Sequence, residues 1–244
     1  MSKSICTSLV LVLCAGLGMT ARADMMRLPD IVPVSERSEI AWARRAAWLE
    51  EELETLGLKL GAPIFIRIFK ASRELELYLE NEAGFKLFRN YRICEMSGEL
   101  GPKQAEGDHQ APEGFYSVSA EWLNPDSRFH LSFNIGYPNE LDRQHGRTGS
   151  LIMVHGGCAS VGCFAMTDWR MEEIYILAEA ALRSSQLAFD VHIFPFRMKE
   201  KKLARHRDSP WYEFWRNLQQ GHDHFDHHGR PPEVAVDNGR YLFR

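Results

Sequence analysis

Between Ile64 and Ile93 the chain alternates in a way that only a sheet accommodates. Glu74-Leu-Glu-Leu-Tyr-Leu-Glu80 sets a leucine between polar-tipped residues, glutamate or tyrosine, at every second step, the period of a strand with one face buried and one wet. Asn81-Glu-Ala-Gly84 supplies turn residues, and Phe85 to Ile93 reads as the returning strand. Ile64-Phe-Ile-Arg-Ile-Phe69 is a further strand just upstream. A β-hairpin beside a third strand cannot hide its apolar face alone, so the rest of the chain must cover it.

The flanking segments suggest what does so. Ser35 to Leu56 has helical spacing, with Ile40, Ala43, Ala47, Leu49, Leu53 and Leu56 on one stripe, Ser35 and Ser38 as capping residues and Gly57 as a stop. Residues 95 to 113 hold Gly, Pro and charge without periodicity and read as a loop. Gly114 to Ala120, Phe129 to Ile135, Ser150 to His155 and Ala188 to Phe194 read as strands. Thr167 or Asp168 caps a helix running to about Ser184. Met198 to Gln220 reads as two short helices broken at Pro210, followed by a polar tail. The expected architecture is β-dominated with peripheral helices. The segments expected are 1–23 as signal peptide, 24–57 as N-terminal leader and helix, 58–200 as catalytic domain and 201–244 as C-terminal helical extension and polar tail.

The N-terminus indicates a compartment. Lys3, the apolar run Ile5 to Leu17 and Ala21-Arg22-Ala23 form a secretory signal peptide with cleavage before Asp24. A lipid anchor at Cys14 is disfavoured because Leu13 stands where a small residue is expected. No run reaches about 18 apolar residues, so no transmembrane anchor is expected. A net charge of -4 provides no general drive toward nucleic acid. Five cysteines fall to three after cleavage: Cys94, Cys158 and Cys163. In an oxidising compartment an odd count leaves one thiol over, and two arrangements fit. Either Cys94 and Cys158 form a disulfide, or all three stay reduced and partly buried.

The chemistry concentrates in Met153-Val-His-Gly-Gly-Cys-Ala-Ser-Val-Gly-Cys-Phe-Ala-Met-Thr167. An apolar strand delivers His155, and a Gly-rich loop ends at Cys163. A thiol paired with an imidazole base is a nucleophile, here Cys163 with His155 as general base and acid. The N–H groups of Gly162 and Cys163 are candidate oxyanion donors. No acidic residue lies in the loop, so a backbone carbonyl, that of Gly156, is the expected partner orienting the imidazole. Cys158 and Cys163 lack the C-x-x-C spacing of a redox pair.

His155-Gly156 followed by Ser160-Val-Gly162-Cys163 resembles the L,D-transpeptidase catalytic domain (the YkuD-type fold). Gly107-Asp108 with Pro112-Glu-Gly114-Phe-Tyr116 resembles its strand-entry element. The nearer likeness is to the YafK-type branch of murein L,D-transpeptidases and peptidoglycan–lipoprotein amidases, whose pattern HG-x-C-x-S-x-GC-x-AMT is matched from His155 to Thr167. Gly61-Ala-Pro-Ile-Phe-Ile66, Pro125-Asp-Ser-Arg-Phe129 and Asn134-Ile-Gly-Tyr137 support it, over roughly residues 57 to 200. The resemblance implies a mainly β sandwich or barrel-like fold and a periplasmic enzyme of Gram-negative peptidoglycan. It implies a Cys163 thioester with the L-centre carbonyl of diaminopimelate, on stem peptides that carry a linked lipoprotein. Two departures stand out: Val161 occupies a His or Asn position, and Ala165 an Arg position. They favour hydrolysis of the lipoprotein link over cross-linking by transpeptidation. A domain that binds peptidoglycan without turnover is the competing class.

Carboxylates on such a substrate call for a cation. Lys103, Arg143 and Arg147 lie in nearby loops, each with an ordinary surface role as the alternative, and Arg147 is the preferred choice. Tyr137 and Ser160 are further substrate-binding candidates, Tyr137 equally suited to packing. His222-Asp-His-Phe-Asp-His227-His228 has metal-ligand residue types but no regular pattern, so a solvated tail is expected, and no metal or cofactor is assigned. His109, His130, His145, His192 and His206 are isolated. Trp211, Tyr212, Phe214 and Trp215 are expected to dock a terminal helix.

Overall fold

The computed structural model describes residues 32–244. The expected signal peptide and cleavage site fall outside the described residues. Helix α1 (Glu36–Thr55) begins at a reciprocal cap: Ser38 N–H donates to Ser35 Oγ at 3.2 Å, and Ser35 N–H to Ser38 Oγ at 3.0 Å. Strands β1 (Ile64–Phe69), β2 (Glu74–Asn81) and β3 (Gly84–Arg92) follow as the expected antiparallel run. Then come β4 (Gly114–Ser119), β5 (Leu123–Asn124), β6 (Ser132–Asn134), helix α2 (Glu140–Gln144), β7 (Met153–His155) and β8 (Phe164–Ala165). Helix α3 (Asp168–Ser184), strand β9 (Ala188–Phe194), helices α4 (Glu200–Leu203) and α5 (Tyr212–His228), and hairpin β10 (Val234–Asp237) with β11 (Arg240–Phe243) complete the chain.

Two sheets carry the molecule. The larger has the order β3-β2-β1-β9-β4, with β1 and β9 parallel; the smaller has the order β5-β6-β7-β8, with β7 and β8 parallel. Helix α3 packs against α1 and touches strands of both sheets. It is buried along Met171–Leu182, as a helix apolar on most sides must be. Its acids face α1: Glu172 accepts from Arg45 at 3.1 Å and Glu179 from Trp42 at 2.7 Å. Among the described residues no helix is long and apolar enough to cross a membrane.

The alternating strand departs from expectation on its polar side. Leu75, Leu77 and Leu79 enter the main core, but Glu76 and Tyr78 are buried too. Helix α5 covers that face. Arg67 on β1 donates to Glu76 at 3.0 Å, to Tyr78 at 2.6 Å and to Asp226 of α5 at 2.8 Å, while Phe225 packs on Phe65 and Tyr78. Buried charge is tolerated because it is paired.

The C-terminal reading needs the larger correction. The break at Pro210 stands, but the second helix runs on through His228, so the His-rich stretch is helical, not a solvated tail. His222 and Phe225 face inward, so deleting residues 221–228 would remove core. Trp215 is buried with Phe69, Phe194 and Phe196. The last residues pair as a hairpin, turned at Asn238-Gly239 with φ of +48° and +72°.

Candidate active site

Strands β7 and β8 run parallel, with Val154 opposite Phe164 and His155 opposite Ala165. The Gly-rich loop therefore leaves the end of one strand and returns beside it. Met166 N–H closes on His155 O at 2.8 Å and Thr167 N–H on Gly157 O at 2.8 Å. Asp168 Oδ1, at the start of α3, accepts from Gly157 N–H at 2.7 Å. Gly156 must be glycine for space: a Cβ there would lie 2.7 Å from both Asp168 Oδ1 and Phe129 O. The loop is also held from outside, because Cys94 and Cys158 form a disulfide with a Cα–Cα distance of 5.4 Å.

His155 is buried, and its Nδ1 lies 2.6 Å from Gly156 O. A neutral ring bonded to a carbonyl donates from that nitrogen, which leaves Nε2 with the lone pair. Phe129 packs on the ring at 4.7 Å. Burial holds the imidazole below its ordinary pKa of 6.5, opposed by the Gly156 carbonyl. Cys163 is the free cysteine of the described residues and is half-buried. Its Sγ accepts from Met153 N–H at 3.3 Å and donates to Leu151 O at 3.6 Å, both on the segment leading into His155. Burial pushes the thiol above its ordinary pKa of 9.0, partly offset by the Met153 N–H and by the positive charge of Lys103. Burial thus favours the neutral form of each group over a thiolate–imidazolium pair. Helix α3 starts beyond β8, at Asp168.

The thiol opens into a cleft of about 130 Å³ lined by Lys103, Glu106, His109, Leu151 and Val161, among others. A larger cavity, of about 610 Å³, lies elsewhere, and the chemistry of the residues, not size, identifies this one.

Several expected residues stand in other roles. Gly162 N–H donates to Ser97 Oγ at 2.7 Å, so it is already engaged and does not offer a ready oxyanion contact. Ser160 Oγ donates to Cys163 O at 2.7 Å, which shapes the loop instead of facing substrate. Arg147 is buried, paired with Asp142 at 2.7 Å and set over the Phe214 ring, away from the cleft. Arg143 is exposed and pairs with Glu140. Tyr137 is buried, its hydroxyl 3.3 Å from Lys103 O and 3.4 Å from Thr148 O, where it ties two segments that wall the cleft. The cation lining the cleft is Lys103, held by Ala105 O at 2.8 Å and Asp108 Oδ1 at 2.5 Å. Ala165 is fully buried and presents nothing to the cleft. Among the described residues, no three His, Cys, Asp or Glu side chains gather as metal ligands. Ser97 lies in a loop with no pattern to mark it, and Phe129, read as the start of a strand and as part of a supporting motif, sits in a turn ahead of β6.

Comparison with known proteins shows a family for the chain. A model of the L,D-transpeptidase catalytic domain, YkuD, matches residues 63–184. The chain is 45% identical over 183 residues to the Escherichia coli (strain K12) protein YafK, described as a candidate L,D-transpeptidase, covering 75% of this chain and 74% of that one. The solved structure of the helical cell shape determining protein Pgp2 from Campylobacter jejuni aligns over 77% of this chain and 80% of that one, at 17% identity and a TM-score of 0.43. Bd1075 from Bdellovibrio bacteriovorus aligns over 64% and 59%, at 22% identity and a TM-score of 0.37. On the family model and the 45% identity, this chain belongs to the L,D-transpeptidase (YkuD) catalytic-domain family.

Proposed function

We propose that the chain is a periplasmic cysteine enzyme of peptidoglycan remodelling. The observation that carries this reading is a buried imidazole oriented by Gly156 O, on the strand whose leading backbone holds the Cys163 sulfur at a cleft. Because burial favours both neutral forms, His155 takes the thiol proton as the sulfur attacks, acting as a general base within the step. The bond from Sγ to the L-centre carbonyl carbon of diaminopimelate forms, and the carbon–nitrogen bond breaks. His155 then returns its proton to the leaving amine. With Gly162 N–H engaged, the Cys163 amide is our choice of oxyanion donor, and Lys103 supplies positive potential at the cleft.

Water then attacks the thioester, His155 accepts its proton, and the Cys163 thiolate leaves and is reprotonated. In this reading the amine released is the lysine of an outer-membrane lipoprotein, so the enzyme detaches lipoprotein from the wall. A transpeptidase differs only in using an amine in place of water. Incubating the mature protein with lipoprotein-linked muropeptides and free tetrapeptides separates the two. Hydrolysis yields free muropeptide, whereas new 3-3 crosslinks would overturn it in favour of transpeptidation. Cys163→Ala should lower either activity by at least about a thousandfold while leaving the circular-dichroism melt in place.

A further inference from the structure

A cavity of about 610 Å³ opens over the β4–β9 edge of the larger sheet and shares no lining residue with the Cys163 cleft. Its floor includes Ser117 and Asp190, directly opposite in the β4–β9 register. The next pair on that face, Phe115 and His192, lines it too. Asn139, Glu140 and Arg143 form one wall; Pro231, Pro232, Glu233 and Val234 contribute another.

Two features of this cavity are left unbalanced by the fold. The first is charge. Among the described residues neither Asp190 nor Glu233 has an ion-pair partner, and the Arg143 at the rim is taken by Glu140 at 3.1 Å. Asp190 has the Ser117 hydroxyl as its hydrogen-bond partner, and burial pushes its carboxyl up to about 6. The second feature is independent of the acids. His192 is 1% exposed, wedged between the rings of Phe65 and Phe115, and its Nδ1 has no hydrogen-bond partner. Burial pushes its pKa far down, so the ring is neutral and does not repel a cation. A part-buried carboxylate without a cationic partner costs free energy unless something pairs with it. His192 Nδ1, out of solvent contact between the two rings, marks the apolar setting and is not itself a ligand contact.

We propose that this cavity is a second binding site, apart from the Cys163 cleft, for a primary ammonium on an alkyl stem. The ammonium sits over Asp190, with Glu233 adding negative potential. The stem lies along Pro231, Pro232 and Val234, as lysine methylenes cover apolar surface elsewhere. Anions are disfavoured, because the unpaired charges of the cavity are carboxylates.

The test titrates the full mature chain, followed by NMR, with Nα-acetyl-lysine methylamide and with its uncharged analogue Nα-acetyl-norleucine methylamide. The lysine probe should bind saturably and shift the Asp190 and Ser117 amide resonances, and the norleucine probe should bind about tenfold more weakly or worse. Asp190→Asn should weaken the lysine probe about tenfold, and Glu233→Gln should weaken it less. Alkylation of Cys163 by iodoacetamide should proceed in both variants as in the parent, which checks the fold. Equal binding of the two probes, or unchanged affinity in Asp190→Asn, would overturn the proposal, as would no saturation at tens of millimolar. A diaminopimelate-containing muramyl tripeptide, whose ammonium sits beside a carboxylate, separates two sources of the same group. Tighter binding of the tripeptide assigns the site to wall stem peptides, and tighter binding of the lysine probe to a protein lysine.

Discussion

His155 and Cys163 are both driven toward their neutral forms by burial, and that sets how activity should depend on pH. The imidazole must be unprotonated to act as base. Its pKa is depressed below 6.5, so activity should persist below that pH and fall only as pH drops through the depressed value. On the alkaline side the thiol ionises above its ordinary 9.0, so iodoacetamide alkylation of Cys163, followed from about pH 6 to about pH 10, should still be rising at pH 9.0. A plateau reached by neutral pH would instead mean a preformed thiolate. At this scale the sequence marked the pair proposed to react and the Gly156 carbonyl that the imidazole meets, because His, Gly and Cys stand within nine residues along the chain. It assigned the wrong occupations to Gly162, Ser160 and Arg147. Their partners Ser97, Cys163 O and Asp142 come from chain that no local pattern brings near, or from a turn geometry the composition leaves open.

The elements β7, loop and β8 form a unit that is clamped from two sides. The β7–β8 ladder and Asp168 hold it from within, and the Cys94–Cys158 bridge ties it to the segment after β3. That segment itself joins β8, where Cys94 N–H donates to Ala165 O at 2.8 Å and Ala165 N–H to Glu95 O at 2.9 Å. The bridge closes a chain separation of 64 residues, which in the chain-entropy picture is worth about 4 kcal/mol. Cys94→Ser with Cys158→Ser should therefore lower the urea midpoint by the equivalent of roughly 2–4 kcal/mol, and slow turnover by loosening the loop. An unchanged midpoint would show the bridge to be energetically idle. The β2–β3 hairpin, α1 and α3 were legible because their periodicities are local. The β10–β11 hairpin was legible as well: Asn238-Gly239 between Val-Ala-Val and Tyr-Leu-Phe is a hairpin signal that a polar-tail reading overlooked.

Over the whole molecule, the C-terminal extension is coupled to the cleft through one buried carboxylate. Glu113, fully buried, accepts from Trp215 Nε1 of α5 at 2.7 Å and from Gly101 N–H at 2.7 Å, and pairs with Lys70 at 3.0 Å. Lys70 in turn donates to Gly101 O at 2.7 Å and Ala111 O at 2.8 Å. These bonds fasten both ends of the stretch that carries Lys103, Glu106 and His109 along the cleft. Trp215→Phe keeps the ring but orphans a carboxylate oxygen, and should cost about 1–3 kcal/mol in urea denaturation. A midpoint within error of the parent would refute that coupling. The sequence by itself determined the β2–β3 hairpin, α1 and α3, and it marked the proposed nucleophile with its base, since each depends on neighbours along the chain. Tertiary structure decided which charges are buried, which donors are free and where the cations point. Those depend on what packs across from each residue: α5 covers the alternating strand's polar face, Asp142 takes Arg147, and Ser97 reaches the loop that ends at Cys163.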